Sequence, residues 1–160
     1  MCGIVGYKGN QNSIPVLLNG LKSLEYRGYD SAGLAYINGG KIIIKKAIGR
    51  VKNLENLITN GDFGNIGIAH TRWATHGGVT DKNAHPHKQG KITLVHNGII
   101  ENYKELSENI DTKLLSETDT EILCAYINKL YNDNHDMLKT LAKLKTDIKG
   151  SYALAIINED

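Results

Sequence analysis

Residues 34–44 read Leu-Ala-Tyr-Ile-Asn-Gly-Gly-Lys-Ile-Ile-Ile, and this stretch decides how the strands of the chain pair. Two strand-like runs, residues 34–37 and 41–44, flank Asn38-Gly39-Gly40. A short glycine-containing turn between two such runs is typical of a β-hairpin. The stretch therefore predicts two neighbouring antiparallel strands.

Helices and further strands are predicted on both sides of this hairpin. A short buried strand at 4–7 precedes a helix that Ser13 caps and that ends at Arg27-Gly28. After the hairpin, helices are predicted over 51–58, 102–110, 118–130 and 137–148, and strands over 66–70, 92–96 and 152–157. Asn97-Gly98 is expected to break the strand at 92–96. Hairpins and helix pairs outnumber strict strand–helix alternation, so a layered α/β (α+β) fold with antiparallel pairing is expected.

The composition fits one globular domain. The 160 residues are 41% hydrophobic and 22% charged, which is enough for a real core. A net charge of +2 and dispersed lysines give no reason to expect a nucleic acid or a membrane surface as partner. Without a signal peptide or a membrane-length apolar run, the expected compartment is the cytoplasm. No closing element follows the last strand, so the chain is expected to be the front part of a longer protein.

Cys2 is the first candidate for chemistry. If Met1 is removed, the Cys2 thiol shares one residue with a free α-amine, whose ordinary pKa of roughly 7.7–8.0 suits a base near neutral pH. The thiolate is the nucleophilic form of cysteine, so a neighbouring base matters. On Met-Cys alone, an incidental buried cysteine is the favoured interpretation. Cys124 lies on an apolar helix and is predicted to be a core residue, and reduced cysteines are expected rather than a disulfide.

Four further residues could bind a reacting amide or an amino acid. The Asn97 side chain and the Gly98 backbone N–H could donate to an oxyanion, although Asn-Gly can also simply form a tight turn. Arg72 could hold a carboxylate in a bidentate pair. Asp119 could take an ammonium group, although an acidic residue in a first helical turn is also expected from the helix dipole.

The histidines and glycines indicate no metal and no cofactor. His85-Pro86-His87 could present two imidazoles, but no second Cys/His pair has zinc spacing. His70, His76 and His96 lie near the candidate site, where we expect them to satisfy loop carbonyls rather than to orient neighbouring side chains. No glycine pattern typical of nucleotide binding occurs, so no cofactor is expected.

Six motifs follow one another along essentially the whole chain. They are Cys2-Gly3-Ile4-Val5-Gly6, the segments 25–33 (Glu-Tyr-Arg-Gly-Tyr-Asp-Ser-Ala-Gly) and 69–77 (Ala-His-Thr-Arg-Trp-Ala-Thr-His-Gly), Asn83-Ala84-His85-Pro86-His87, and the segments 96–102 (His-Asn-Gly-Ile-Ile-Glu-Asn) and 116–121 (Ser-Glu-Thr-Asp-Thr-Glu). This series closely resembles the glutaminase domain of the glucosamine-6-phosphate synthase family (glutamine–fructose-6-phosphate aminotransferase, isomerising). These are class II glutamine amidotransferases with an N-terminal nucleophile.

The resemblance implies a four-layer αββα sandwich, truncated at its C-terminus, and a role for each matched residue. Cys2 would be the nucleophile and its own amine the base. Asn97 and Gly98 would form the oxyanion hole, and Arg27 would organise the nucleophile. Arg72 would bind the glutamine α-carboxylate, with Thr75, His76 and Gly77 lining the same site. Asp119 would bind the α-ammonium group, and Trp73 would lie in the loop that closes over glutamine.

The resemblance also implies a reaction and its partners. Glutamine would be hydrolysed to glutamate and ammonia by a glutaminase domain spanning 1–160. In the full-length family the ammonia aminates fructose 6-phosphate in sugar-isomerase domains that these 160 residues lack, and the longer parent is expected to be a homodimer. Two alternatives stay open: a different acceptor, phosphoribosyl diphosphate or aspartate, and a catalytically silent glutamine-binding module. Tyr29 and the stretch 73–76 favour the sugar-phosphate family.

Overall fold

The computed structural model describes residues 2–74 and 77–160, and these residues form seven β-strands and five α-helices. In chain order the elements are β1 (Gly3–Lys8), α1 (Ser13–Leu24), β2 (Ser31–Asn38), β3 (Lys41–Ile48), α2 (Val51–Glu55), β4 (Ile66–Arg72), β5 (His87–Gln89), β6 (Ile92–Ile100), α3 (Tyr103–Ser107), α4 (Asp119–Asn134), α5 (Met137–Asp147) and β7 (Gly150–Asn158). A short 3-10 turn at Glu25–Arg27 follows α1. Within the described ranges, no helix is long and apolar enough to cross a membrane.

The strands form two antiparallel sheets. The first has the order β1-β4-β2-β3 and the second the order β5-β6-β7. The hairpin predicted from residues 34–44 is β2–β3, in which Asn38 lies opposite Lys41 across Gly39-Gly40. The predicted antiparallel pairing is therefore confirmed, and both strands extend beyond the predicted runs.

Strand alternation divides the apolar side chains among three layers of core. One face of the first sheet packs on α1 and α2, around Leu17, Leu21 and Leu34. One face of the second sheet packs on α3, α4 and α5, around Leu94 and Leu123. The remaining faces of the two sheets pack on each other through a third cluster, made of Ala35, Ile42, Ile68, Val95 and Ile157 with partly buried neighbours. Because successive strand residues point to opposite faces, this arrangement is the expected four-layer αββα sandwich.

The predicted break at Asn97-Gly98 is wrong, because β6 continues through both residues. Asn97 pairs with Ala153 and Gly98 with Tyr152 of β7. Gly98 has a φ of 126°, and a Cβ atom built there would lie 2.0 Å from the carbonyl oxygen of Ser151. Glycine therefore lets the strand run on in a backbone conformation that L side chains rarely adopt.

The helix boundaries agree with the sequence only in part. Thr118 accepts from the backbone N–H of Glu121, which confirms the predicted start of α4, but the Glu121 carboxylate binds backbone N–H groups of the preceding loop instead of closing the capping box. The cap of α1 is Asn12 and not Ser13, which is the first residue of that helix. Asn102 makes no side-chain cap for α3. Both α2 and α3 end earlier than predicted.

Candidate active site

Four parts of the chain converge at one cleft between the two sheets. β1 and β4 pair antiparallel, with Gly3 opposite Thr71, so Cys2 lies beside the end of β4. β6 of the second sheet contributes Asn97 and Gly98, and α4 contributes its first residue, Asp119. The sheet topology therefore brings together residues that are far apart in the sequence.

The Cys2 thiol is held by the backbone of the residue that follows β4. The N–H of Trp73 donates to Cys2 Sγ at 3.2 Å, and Cys2 is partly exposed. The turn after α1 packs closely on the same backbone, because a Cβ atom at Gly28 would lie 2.9 Å from the carbonyl carbon of Arg72. Asp30 adds a second anchor, since its carboxylate accepts from the backbone N–H of Ala74. The thiol therefore has a fixed neighbour rather than open solvent on this side.

The Asn97 side chain links the two sheets at the thiol. Its Nδ2 donates to the backbone carbonyl oxygen of Cys2 at 3.0 Å, and its Oδ1 lies 2.8 Å from His70 Nε2. His70 is in β4 of the first sheet, whereas Asn97 is in β6 of the second. A single amide thus places a hydrogen-bond donor next to the candidate nucleophile.

Arg72 is 5% exposed and lies against the loop that follows it. Its Nη1 donates to the carbonyl oxygen of Gly78 at 3.2 Å, and Asn83 Nδ2 donates to the same oxygen at 3.0 Å. Asn83 Oδ1 also accepts from the backbone N–H of Glu117, just before α4. These bonds fold the polar loop back onto the cleft and keep the guanidinium at its wall.

Asp119 lies where α4 meets β6. Its Oδ2 accepts from the backbone N–H of Ile100 at 3.0 Å, and its Oδ1 lies 4.0 Å from His96 Nδ1. The side chain is 24% exposed, so it can still reach a ligand. The His96 ring is also within 3.0 Å of the Thr120 hydroxyl, and burial lowers its pKa.

One cleft contains a thiol, an amide donor, a guanidinium and a carboxylate. It is lined by Cys2, His70, Arg72, Trp73, His85, His96, Asn97, Gly98, Thr118, Asp119 and Thr120. A cation and an anion in one small site match the carboxylate and ammonium of an α-amino acid, and the thiol with a neighbouring donor suits acyl transfer.

The other residues named from the sequence lie at or beyond the edge of this cleft. Arg27 lines an adjoining cavity that shares Cys2 with the cleft, and Trp73, which is half exposed, lines both. Gly77 is exposed, has a φ of 76°, and is not among the residues that line either cavity. Thr75 and His76 lie outside the described residues.

A cluster of buried histidines at the wall of the cleft was not predicted from the sequence. The His70 and His85 rings stack with centroids 4.2 Å apart, and His85 meets His87 edge-on at 5.0 Å. Burial lowers the pKa of His70 to about 4 and holds the pKa values of His85 and His87 well below the ordinary value, so all three are neutral near pH 7. No group of three or more His, Cys, Asp or Glu suited to a metal occurs in the described part of the chain.

The expectation that these histidines serve loop carbonyls is wrong for His70 and His96, which contact polar side chains instead. Strand alternation could have indicated this. His70 follows Ile66 and Ile68 at two-residue spacing, and both isoleucines pack between the sheets. Asn97 stands in the same relation to Val95. Both polar side chains are therefore directed toward the opposite sheet.

Comparison with known proteins agrees with this geometry. The family model of the glutamine amidotransferase domain matches residues 70–160. The glutamine–fructose-6-phosphate aminotransferases (isomerizing) of Acinetobacter baylyi and Clostridium acetobutylicum are 46% and 51% identical to the chain, over 100% and 99% of its length. The chain spans 27% of the length of each of these relatives.

A solved structure shows the same fold over nearly the whole chain. It is the glutamine phosphoribosylpyrophosphate amidotransferase from B. subtilis complexed with ADP and GMP. The TM-score is 0.81 at 26% identity, and the match covers 99% of this chain and 35% of the other. The matched family model extends over more than half of the 160 residues. The chain belongs to the glutamine amidotransferase domain family.

Proposed function

We propose that this chain hydrolyses the side-chain amide of glutamine with the Cys2 thiol as nucleophile. The observation that carries the proposal is the Asn97 amide nitrogen, 3.0 Å from the Cys2 carbonyl oxygen, in a cleft that also contains Arg72 and Asp119. Glutaminase chemistry requires a nucleophile, a hydrogen-bond donor for the oxyanion, and a cation and an anion to bind the amino acid, and this cleft contains all four.

Glutamine would enter with its charged end toward the polar wall. Its α-carboxylate would pair with Arg72 and its α-ammonium with Asp119, which leaves the side-chain amide directed toward Cys2. We propose that Trp73, Thr75, His76 and Gly77 also contribute to glutamine binding. Because Arg72 is nearly buried, its pairing with a carboxylate is less screened by water than a surface pair.

The chemistry would proceed through a thioester. With Met1 removed, the Cys2 α-amine accepts the thiol proton and the sulfur attacks the amide carbon. Asn97 Nδ2 carries two hydrogens, so its bond to the Cys2 carbonyl leaves one for the developing oxyanion, and the Gly98 N–H is the second donor. The carbon–nitrogen bond then breaks as the protonated amine returns its proton to the leaving ammonia. Water hydrolyses the thioester to glutamate and regenerates the thiol. Arg27 would help to organise the nucleophile from the adjoining cavity.

The proposal extends to a longer parent protein, with residues 1–160 as its glutaminase domain. We infer that the ammonia is passed to fructose 6-phosphate, giving glucosamine 6-phosphate for amino-sugar synthesis in the cytoplasm, through isomerase domains of a dimeric parent. The support is the 46–51% identity to relatives that carry this activity in their names, against 26% for the phosphoribosylpyrophosphate amidotransferase. An acceptor assay on the longer protein, with both sugar and ribose phosphates, decides between these acceptors.

The test of the glutaminase step compares three proteins whose N-terminal processing is verified by intact mass. The parent should release equal amounts of glutamate and ammonia from glutamine. Cys2→Ala should abolish release while glutamine binding, followed by calorimetry, persists. Cys124→Ser, which alters the buried thiol of α4, should retain turnover. A processed, folded parent that binds glutamine and releases no ammonia would instead support a silent binding module.

A further inference from the structure

The orientation of the Asn97 amide is fixed by contacts on both of its ends. The Cys2 carbonyl oxygen can only accept, so the amide nitrogen faces Cys2 and the amide oxygen faces His70. Across the 2.8 Å contact, His70 Nε2 must then be the donor, because Asn97 Oδ1 can only accept. The neutral His70 ring therefore carries its proton on Nε2.

His70 is itself held firmly. His70 is 1% exposed, and its strand, β4, lies between β1 and β2. Its ring stacks on the His85 ring with centroids 4.2 Å apart. A buried ring in a strand between two partners has little freedom to follow a moving amide. The rotamer of Asn97 is thus imposed by a rigid neighbour from the opposite sheet.

We propose that His70 is a positioning residue for the glutaminase reaction, because its Nε2–H holds Asn97 Oδ1 and so directs the amide NH₂ toward the reacting carbonyl. This inference rests on the proposed function. His70 does not touch the substrate in this scheme, and it acts only through Asn97. If the bond is lost, the amide can rotate, and the oxyanion loses a preorganised donor without any change in the groups that bind glutamine.

The expected cost follows from this indirect role. Removing an oxyanion donor outright costs about 10²–10³ in kcat. Loosening the donor should cost less, about 10- to 100-fold in kcat. KM for glutamine should change by less than about twofold, because the donor acts on the transition state and the groups that bind glutamine are unchanged.

Two conservative variants separate the bond from the bulk of the ring. In His70→Gln the amide nitrogen can reach the position of Nε2, whereas in His70→Asn it reaches only the position of Nδ1. His70→Asn should show the full fall in kcat, and His70→Gln should regain most of it. Equal kcat values for the two variants would contradict the proposal, and so would a rise in KM with unchanged kcat.

A double-mutant cycle with Asn97→Ala gives the second readout. Once Asn97 lacks its amide, His70→Asn should cause no further fall in kcat, because the group that it positions is gone. A merely structural role would give the same fall in both backgrounds, and that result would overturn the proposal. Thermal unfolding of each variant confirms that folded protein is being compared. Failure of the proposed function is distinguishable, because then the parent itself releases no ammonia.

Discussion

Mild acid should destabilise this domain steeply. The reason is the histidine cluster of His70, His85 and His87, whose rings are stacked in the core and neutral. Burial lowers the pKa of each ring below the ordinary 6.5. As the pH falls through 6.5, the unfolded chain gains protons that the folded chain does not, so the free energy of unfolding decreases.

The size of the effect can be worked out from these pKa values. About one pH unit below 6.5, each histidine that stays neutral in the fold lowers the free energy of unfolding by about 1.4 kcal/mol relative to neutral pH. The pKa of His70 is about 4, so its ring is still neutral there, and those of His85 and His87 are well below 6.5 as well. His70 alone should cost about 1.4 kcal/mol, and His85 and His87 should add to this, against the roughly 5–15 kcal/mol of a typical domain. Most carboxylates titrate below this window.

Urea unfolding between about pH 7.5 and about pH 5.5 measures this slope. The free energy of unfolding should fall in the parent by more than the roughly 1.4 kcal/mol of a single histidine. In His87→Gln the free energy of unfolding should fall by less than in the parent, because one buried ring is removed. His135→Asn is the matched control, because His135 is exposed at the left-handed C-cap of α4, where asparagine is tolerated, and the parent slope should persist. A fall in the parent's free energy of unfolding of less than about 1.4 kcal/mol, the effect of one histidine, would refute this explanation.

Two further predictions concern the backbone around the site. Gly98→Ala should lower the free energy of unfolding by about 3 kcal/mol or more, because its Cβ atom would lie 2.0 Å from the Ser151 carbonyl oxygen. Gly6→Ala is the control: no atom lies within 4 Å of its Cβ position, so the free energy of unfolding should change by less than about 1 kcal/mol in the same urea assay. Asp30→Ala should raise KM for glutamine about tenfold, because the carboxylate no longer holds the Ala74 backbone at the start of the loop, and unchanged steady-state kinetics would contradict that role.

The parts of the fold that the sequence predicted well are those in which neighbouring residues decide the structure. The β2–β3 hairpin follows from its two glycines, and the start of α4 follows from the Thr118 cap. Cys124 is fully buried, as its apolar helix predicted. Each of these depends on contacts between residues that are close in sequence, and turn chemistry, caps and periodicity report such contacts directly.

What the sequence analysis could not supply are contacts between distant segments. The continuation of β6 through Gly98 depends on how closely β7 approaches, and that approach is a property of the paired sheet. The pairing of His70 with Asn97 depends on two sheets facing each other. Local propensity read Asn97-Gly98 as a turn, and tertiary packing overrode it.

The layer of aliphatic side chains between the sheets has a consequence for the cleft that its hydrophobicity alone does not reveal. Cys2 leads into one sheet and Asn97 belongs to the other, so the side chains of Ile68, Val95 and their neighbours help to set the distance between the sheets at which the Asn97 amide meets the Cys2 carbonyl. Interiors of this density resist compression. The spacing of the reacting groups therefore depends on packing between the two sheets as well as on the cleft. Shortening an isoleucine of this layer should change that spacing although it lies outside the cleft.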